Sequence, residues 1–206
     1  MTGRRVFLLS PASAAGVRAK MLLRDGASFA LANQVRVAGA PLADVFSFLS
    51  GLYFRGKVAY VRRFAAPPEG LEPGLVITTT RGLVPMNELV TTSTLRAFER
   101  VDINLGEPRY ARPLARTARD LARFLGEEDQ VVLLGSIASG KYVELLLPIF
   151  GERLVFPECF VGRGDMSRGG VMLRAAESGK ELAYVSVSRA TRTGARPPKL
   201  TEESFR

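Results

Sequence analysis

The residues of this chain best suited to chemistry sit in two glycine-rich stretches, Gly135-Ser-Ile-Ala-Ser-Gly-Lys-Tyr142 and Gly162-Arg-Gly-Asp-Met-Ser-Arg-Gly-Gly170. In the second, Asp165 stands between Arg163 and Arg168, cations that suit an ionised carboxylate. Such a carboxylate can support an oxocarbenium-like centre or orient a water, and is a poor general acid. Asp165 is therefore the candidate catalytic residue, with Arg163, Ser167 and Arg168 as substrate-binding groups beside it. The structural alternative is a turn in which Asp165 pairs with an arginine. Asp44 and Asp102 are weaker acidic candidates.

The first stretch matches Gly-x-x-x-x-Gly-Lys, the opening of a phosphate-binding loop, and an apolar run precedes it. Backbone N–H groups of such a loop cradle phosphate, with Lys141 reaching a terminal oxygen. Tyr142 follows the lysine where a nucleotide hydrolase has a small hydroxyl for Mg²⁺, and no aspartate ends the next apolar run. Ser136, Ser139 and Lys141 are thus candidates for holding one phosphate of a nucleic acid, which requires no metal. The structural alternative is an ordinary turn with Ser139 capping the next helix.

A third stretch, Gly51-Leu-Tyr-Phe-Arg-Gly-Lys57, interleaves aromatics and cations. Tyr53, Phe54 and Tyr142, beside Arg55, Lys57 and Lys141, are the side chains an unstacked base would need. The alternative for each ring is core packing. Ser10 and Arg81 follow apolar runs and join the candidate substrate-binding set.

The chain has 206 residues, no histidine and one cysteine, Cys159. That composition excludes disulfides, Cys/His zinc sites and histidine-based catalysis, so proton transfer must use Asp, Glu, Lys, Tyr or water. No metal site and no cofactor is expected. The net charge is +9, and only five of the 29 basic residues are lysine (Lys20, Lys57, Lys141, Lys180 and Lys199). A basic surface suits phosphate-rich partners. With no apolar run of about 18 residues, no membrane span is expected, and the expected location is cytoplasmic.

The elements that must position these groups follow from periodicity. Continuous apolar runs predict strands at 5–9, 58–64, 74–80, 131–134, 154–156, 171–174 and 182–187. Helical spacing predicts helices at 12–23, 28–36 and 42–52, partial helix over 91–101, and a helix over 113–125 opened by Pro113. On that last helix Arg112, Arg116, Arg119 and Arg123 share one arc and Leu114, Ala118, Leu121 and Leu125 the opposite one. The arginines make a candidate contact to the DNA backbone; a solvated face is the alternative. Alternating strands and helices predict an α/β fold, a three-layer α/β/α sandwich with a largely parallel central sheet. Residues 1–187 would form a single domain and 188–206 a basic, flexible tail. Ligands of such sheets bind at the carboxyl ends of the strands, so loops 10–16, 81–85, 135–141 and 162–170 should converge on one cleft.

Strand 76–80 followed by Arg81-Gly-Leu-Val-Pro85, strand 131–134 with its loop and helix, and the glycine loop after Phe156 together resemble the uracil-DNA-glycosylase-like superfamily. The resemblance is to its uncharacterised bacterial and tRNA-modification-associated branch, and spans about residues 75–170. It implies a three-layer fold, a flipped-out and modified base in DNA as substrate, and hydrolysis of an N-glycosidic bond, in a setting such as anti-phage defence. The classical members carry an Asp or Asn where this chain has Ser10-Pro11-Ala12-Ser13, and a late histidine that it lacks. The expected partner is DNA, ahead of RNA or free nucleotide. A nucleotide-binding or phosphotransfer protein and a non-catalytic nucleic-acid-binding protein are the alternatives.

Overall fold

The computed structural model describes residues 4–195, 197 and 198. Its central sheet has six strands: β1 (Arg5–Leu9), β3 (Gly74–Thr78), β4 (Gly82–Pro85), β6 (Gln130–Leu134), β7 (Leu154–Pro157) and β8 (Tyr184–Ser186), in the order β4-β3-β1-β6-β7-β8. The inner four run parallel, and β4 and β8 close the edges antiparallel. Val6 to Leu9 and Val131 to Leu134 are fully buried. This is why they read as continuous apolar runs: a parallel strand is covered on both faces. Two short strands, β2 (Ala40–Pro41) and β5 (Leu89–Val90), pair outside this sheet.

Among the described residues eight helices surround the sheet: α1 (Val17–Leu23), α2 (Ala30–Val37), α3 (Leu42–Ser50), α4 (Leu52–Phe64), α5 (Thr92–Glu99), α6 (Pro108–Ala122), α7 (Val143–Phe150) and α8 (Asp165–Ser178). α4 packs on α8 and α6 packs on α7, giving the three-layer α/β/α sandwich that the alternation implied. α6 buries Tyr110, Leu114, Ala118 and Leu121 and exposes Arg112, Arg116, Arg119 and Arg123, as its period predicts. It begins five residues before Pro113, because Glu107 caps it by accepting from the Arg109 N–H at 3.0 Å and Pro108 fills its first turn.

Four local expectations are corrected. Residues 51–64 are not a loop and a strand but helix α4, entered through Gly51 at φ +63°. Residues 165–174 are not the end of a glycine loop and a strand but the body of α8. Residues 82–85 are not a strand-end loop but the edge strand β4, and residues 12–16 are a loop that turns at Ala14–Ala15 ahead of α1. In the first two cases Gly56 and Gly169 serve by lacking a side chain. A Cβ on Gly56 would lie 2.6 Å from the Gly169 carbonyl oxygen. Removing both side chains lets α4 and α8 cross nearly backbone to backbone.

The described part of the C-terminal segment lies against the domain. Arg189 pairs with Glu152 at 3.1 Å, Arg192 with Glu144 at 2.6 Å, and buried Arg163 donates to the Pro198 carbonyl at 2.9 Å. Arg196, Lys199 and the remainder of the expected tail lie outside the described residues. No helix among the described residues is long and apolar enough to cross a membrane.

Candidate functional site

The chain leaves β1 toward β3 on one side, and β6 lies on the other. The crevice at the carboxyl ends of β1 and β6 is therefore the topological switch point, where open α/β sheets bind ligands. Leu9 and Leu134 end the two strands in register, and the Ser10 N–H continues the ladder to the Leu134 carbonyl at 3.2 Å. Over these ends lies a cavity of about 1060 Å³. Its walls are the chain from Pro11 to Ala19, Leu49 and Ser50 of α3, Tyr53 of α4, Thr79 at the β3 end, Phe98 and Glu99 with residues 101–105, Gly140 and Lys141 after β6, and Asp165 at the start of α8. Of the four loops expected to converge, parts of 10–16, 135–141 and 162–170 share this cleft, whereas no residue of 81–85 lines it.

Behind this wall is a cluster that only the α4–α8 crossing assembles. Lys57 is fully buried; its Nζ donates to the Ser10 carbonyl at 2.8 Å and to the Ser10 Oγ at 2.7 Å. The same Nζ stands 3.8 Å from the centre of the Tyr53 ring, a cation–π contact. Burial pulls the Lys57 amine from its ordinary 10.5 down to about 7; Arg168 lowers it further and Asp165 opposes the shift. The Tyr53 hydroxyl is buried, with no hydrogen-bond partner at bonding distance. Burial pushes its pKa up to about 12, against the field of nearby Arg168. Tyr142 is likewise pushed up to about 12 by burial, with Tyr53 and Asp165 adding to the shift.

Asp165 itself faces water. Its side chain is 68% exposed and meets the guanidinium of buried Arg168 at 3.4 Å. Arg168 is anchored in turn on the Phe160 carbonyl at 3.2 Å. Arg163 donates to the Cys159 carbonyl at 2.8 Å and to the Ser167 Oγ at 3.3 Å. It ties loop to helix rather than facing the cleft, and Ser167 is its acceptor. Asp165 thus opens a helix as well as pairing with an arginine, and its carboxylate still lines the cavity.

The other expected site residues divide. Tyr53 and Lys141 line the crevice, and Ser10, Lys57, Tyr142 and Arg168 lie in or beside the cluster behind it. Phe54 does not: it is fully buried, with its ring edge-on to Phe46 at 5.3 Å, so it is core and cannot stack on a ligand. Arg81 sits on the β3–β4 turn and pairs with Glu88 at 2.7 Å. Arg55 faces a neighbouring groove. Ser136 accepts from the Ala138 N–H at 3.4 Å, and α7 has no side-chain cap from Ser139. A Cβ on Gly140 would touch the Glu144 side chain at 2.7 Å, so a phosphate over this glycine would meet a carboxylate. The arginine stripe of α6 starts near the cleft, where the Tyr110 hydroxyl donates to the Lys141 carbonyl at 2.8 Å. From there it runs away toward the start of β6, so Arg112 is its member nearest the crevice.

Asp102, one of the two weaker acidic candidates, does reach the crevice; Glu99 and the rest of the wall made by Phe98, Val101 and the loop to Leu105 were not expected there. The signal available was a polar, irregular stretch directly after an amphipathic helix. Among the described residues no group of three or more His, Cys, Asp or Glu side chains is placed to hold a metal. The chain matches no family model, no curated protein and no solved structure.

Proposed function

We propose that the crevice takes one unstacked nucleoside of a nucleic acid, DNA in the first instance, and hydrolyses its N-glycosidic bond. The observation that carries this reading is the exposed Asp165 carboxylate on the wall of the switch-point cavity, backed by a buried arginine. As the C1′–N bond breaks, its electron pair leaves with the base and positive charge develops on the sugar. A fixed carboxylate stabilises that charge and accepts a proton from the water that adds to C1′. Lys141, on the same wall, supplies a cation for a phosphate or for the departing base. The crevice volume suits a group the size of a nucleoside, and the +9 net charge suits its polyanionic carrier.

The test is release of free base, with alkali-labile abasic sites, from oligonucleotides carrying modified bases. Asp165→Asn should abolish release while leaving oligonucleotide affinity within about twofold, since the carboxylate acts on the transition state. Full activity in that variant removes Asp165 from the mechanism. Tight binding without release from any substrate leaves a non-catalytic nucleic-acid-binding protein.

A further inference from the structure

Beside the crevice lies a second cavity of about 700 Å³. The two share Arg18, Leu49 and Ser50, so they lie side by side. The second part differs in chemistry. Its walls are apolar, with Met21 of α1 on one side, Met166 of α8 on another and Phe48 of α3 between, and its cations are Arg18 and Arg55. Met21 and Met166 are 53% and 65% exposed, an unusual display of large apolar side chains beside a polar cleft. Arg18 is fixed, donating to the Phe48 carbonyl at 3.1 Å, and Arg55 stands exposed on the first turn of α4.

We infer that this groove is a subsite for the neighbouring nucleotide of a single-stranded segment, so that the substrate is a polymer and not a free nucleotide. The inference rests on the nucleoside reading of the crevice and deepens it. Apolar and aromatic walls flanked by cations are what a base with its phosphate requires. Flexible, polarisable methionines take any base in place of one shape, which gives affinity without sequence preference. Volume supports the same conclusion: the crevice alone, at about 1060 Å³, already equals the space a single small-molecule ligand fills. The groove adjoins it across Arg18, Leu49 and Ser50. It also gives Arg55 a place in recognition, outside the crevice where the chemistry occurs.

Fluorescence or calorimetric titration with a nucleoside 5′-monophosphate and with the corresponding single-stranded trinucleotide tests this, without any need for turnover. The trinucleotide should bind about tenfold tighter or more, the gain expected of one stacked base. Met166→Glu and Arg55→Glu, both at exposed positions, should each remove most of that gain and leave mononucleotide affinity unchanged. Equal affinity for the two ligands, or a gain that both variants retain, overturns the subsite and leaves the groove to an apolar peptide or other partner. Absence of binding to either ligand overturns the nucleoside reading itself and the subsite with it.

Discussion

Gly56 and Gly169 meet backbone to backbone at the crossing of α4 and α8. A Cβ on Gly169 would stand 2.7 Å from the Leu52 carbonyl oxygen and 2.8 Å from the Tyr53 Cα. This contact sets how close Tyr53 and Lys57 come to Asp165 and Arg168, and hence the shape of the site. Gly169→Ala should destabilise the fold by about 1–3 kcal/mol or more, because backbone cannot move aside as a side-chain tip can. Its neighbour is the control. A Cβ on Gly170 meets only the tip of Arg174 at 3.6 Å, so Gly170→Ala should be neutral or stabilising by up to about 1 kcal/mol. Urea unfolding of the pair measures both; equal effects would show that the crossing is not tight.

Lys57 makes stability depend on pH. Its folded-state pKa of about 7 lies below its ordinary 10.5, so between these values the unfolded chain binds more protons than the folded one. Stability should therefore rise with pH from about 7 upward, by at most about 1.4 kcal/mol per unit from this group. Comparing wild type with Lys57→Met between pH 7 and 9 isolates the contribution, since other groups titrate alike in both. The wild type should gain on the variant as pH rises; parallel curves would mean that Lys57 keeps its ordinary pKa.

The Tyr53 hydroxyl is buried without a partner. A polar group in that state costs stability, so Tyr53→Phe should leave the melting temperature unchanged or raise it, with a gain of up to about 1–3 kcal/mol. A loss above about 1 kcal/mol would show that Arg168 or Ser10 moves into bonding distance.

Arg163, only 6% exposed, donates to the Cys159 carbonyl, the Ser167 Oγ and the Pro198 carbonyl. Arg163→Ala should release the C-terminal segment and cost about 1–3 kcal/mol through the acceptors left unpaired. Trypsin should then cut at Arg189 or Arg192 faster than in wild type, while the domain stays resistant. Unchanged cleavage would assign the hold on this segment to the Glu152–Arg189 and Glu144–Arg192 pairs.

The sequence alone determined the frame. Val6 to Leu9 and Val131 to Leu134 are apolar at every position, because parallel strands bury both faces. The α6 arginines fall on one arc because the helix period is local. The absence of histidine and of a second cysteine excluded whole classes of chemistry without any coordinates. Arrangement in space had to decide the rest. Gly56 and Gly169 look like loop glycines, since a missing Cβ gives the same sequence signal whether it frees the backbone or lets two helices touch. Phe54 and Tyr53 are adjacent aromatics beside a cation, yet one is core and the other lines the crevice; α4 turns them to different sides. Lys57 reads as a cation facing a ligand until the crossing encloses it and Ser10 accepts its hydrogen bonds. Burial, and with it a shifted pKa, depends on which distant segments lie overhead. Those neighbours are 47 residues away for Lys57–Ser10, and they meet only when the chain has folded.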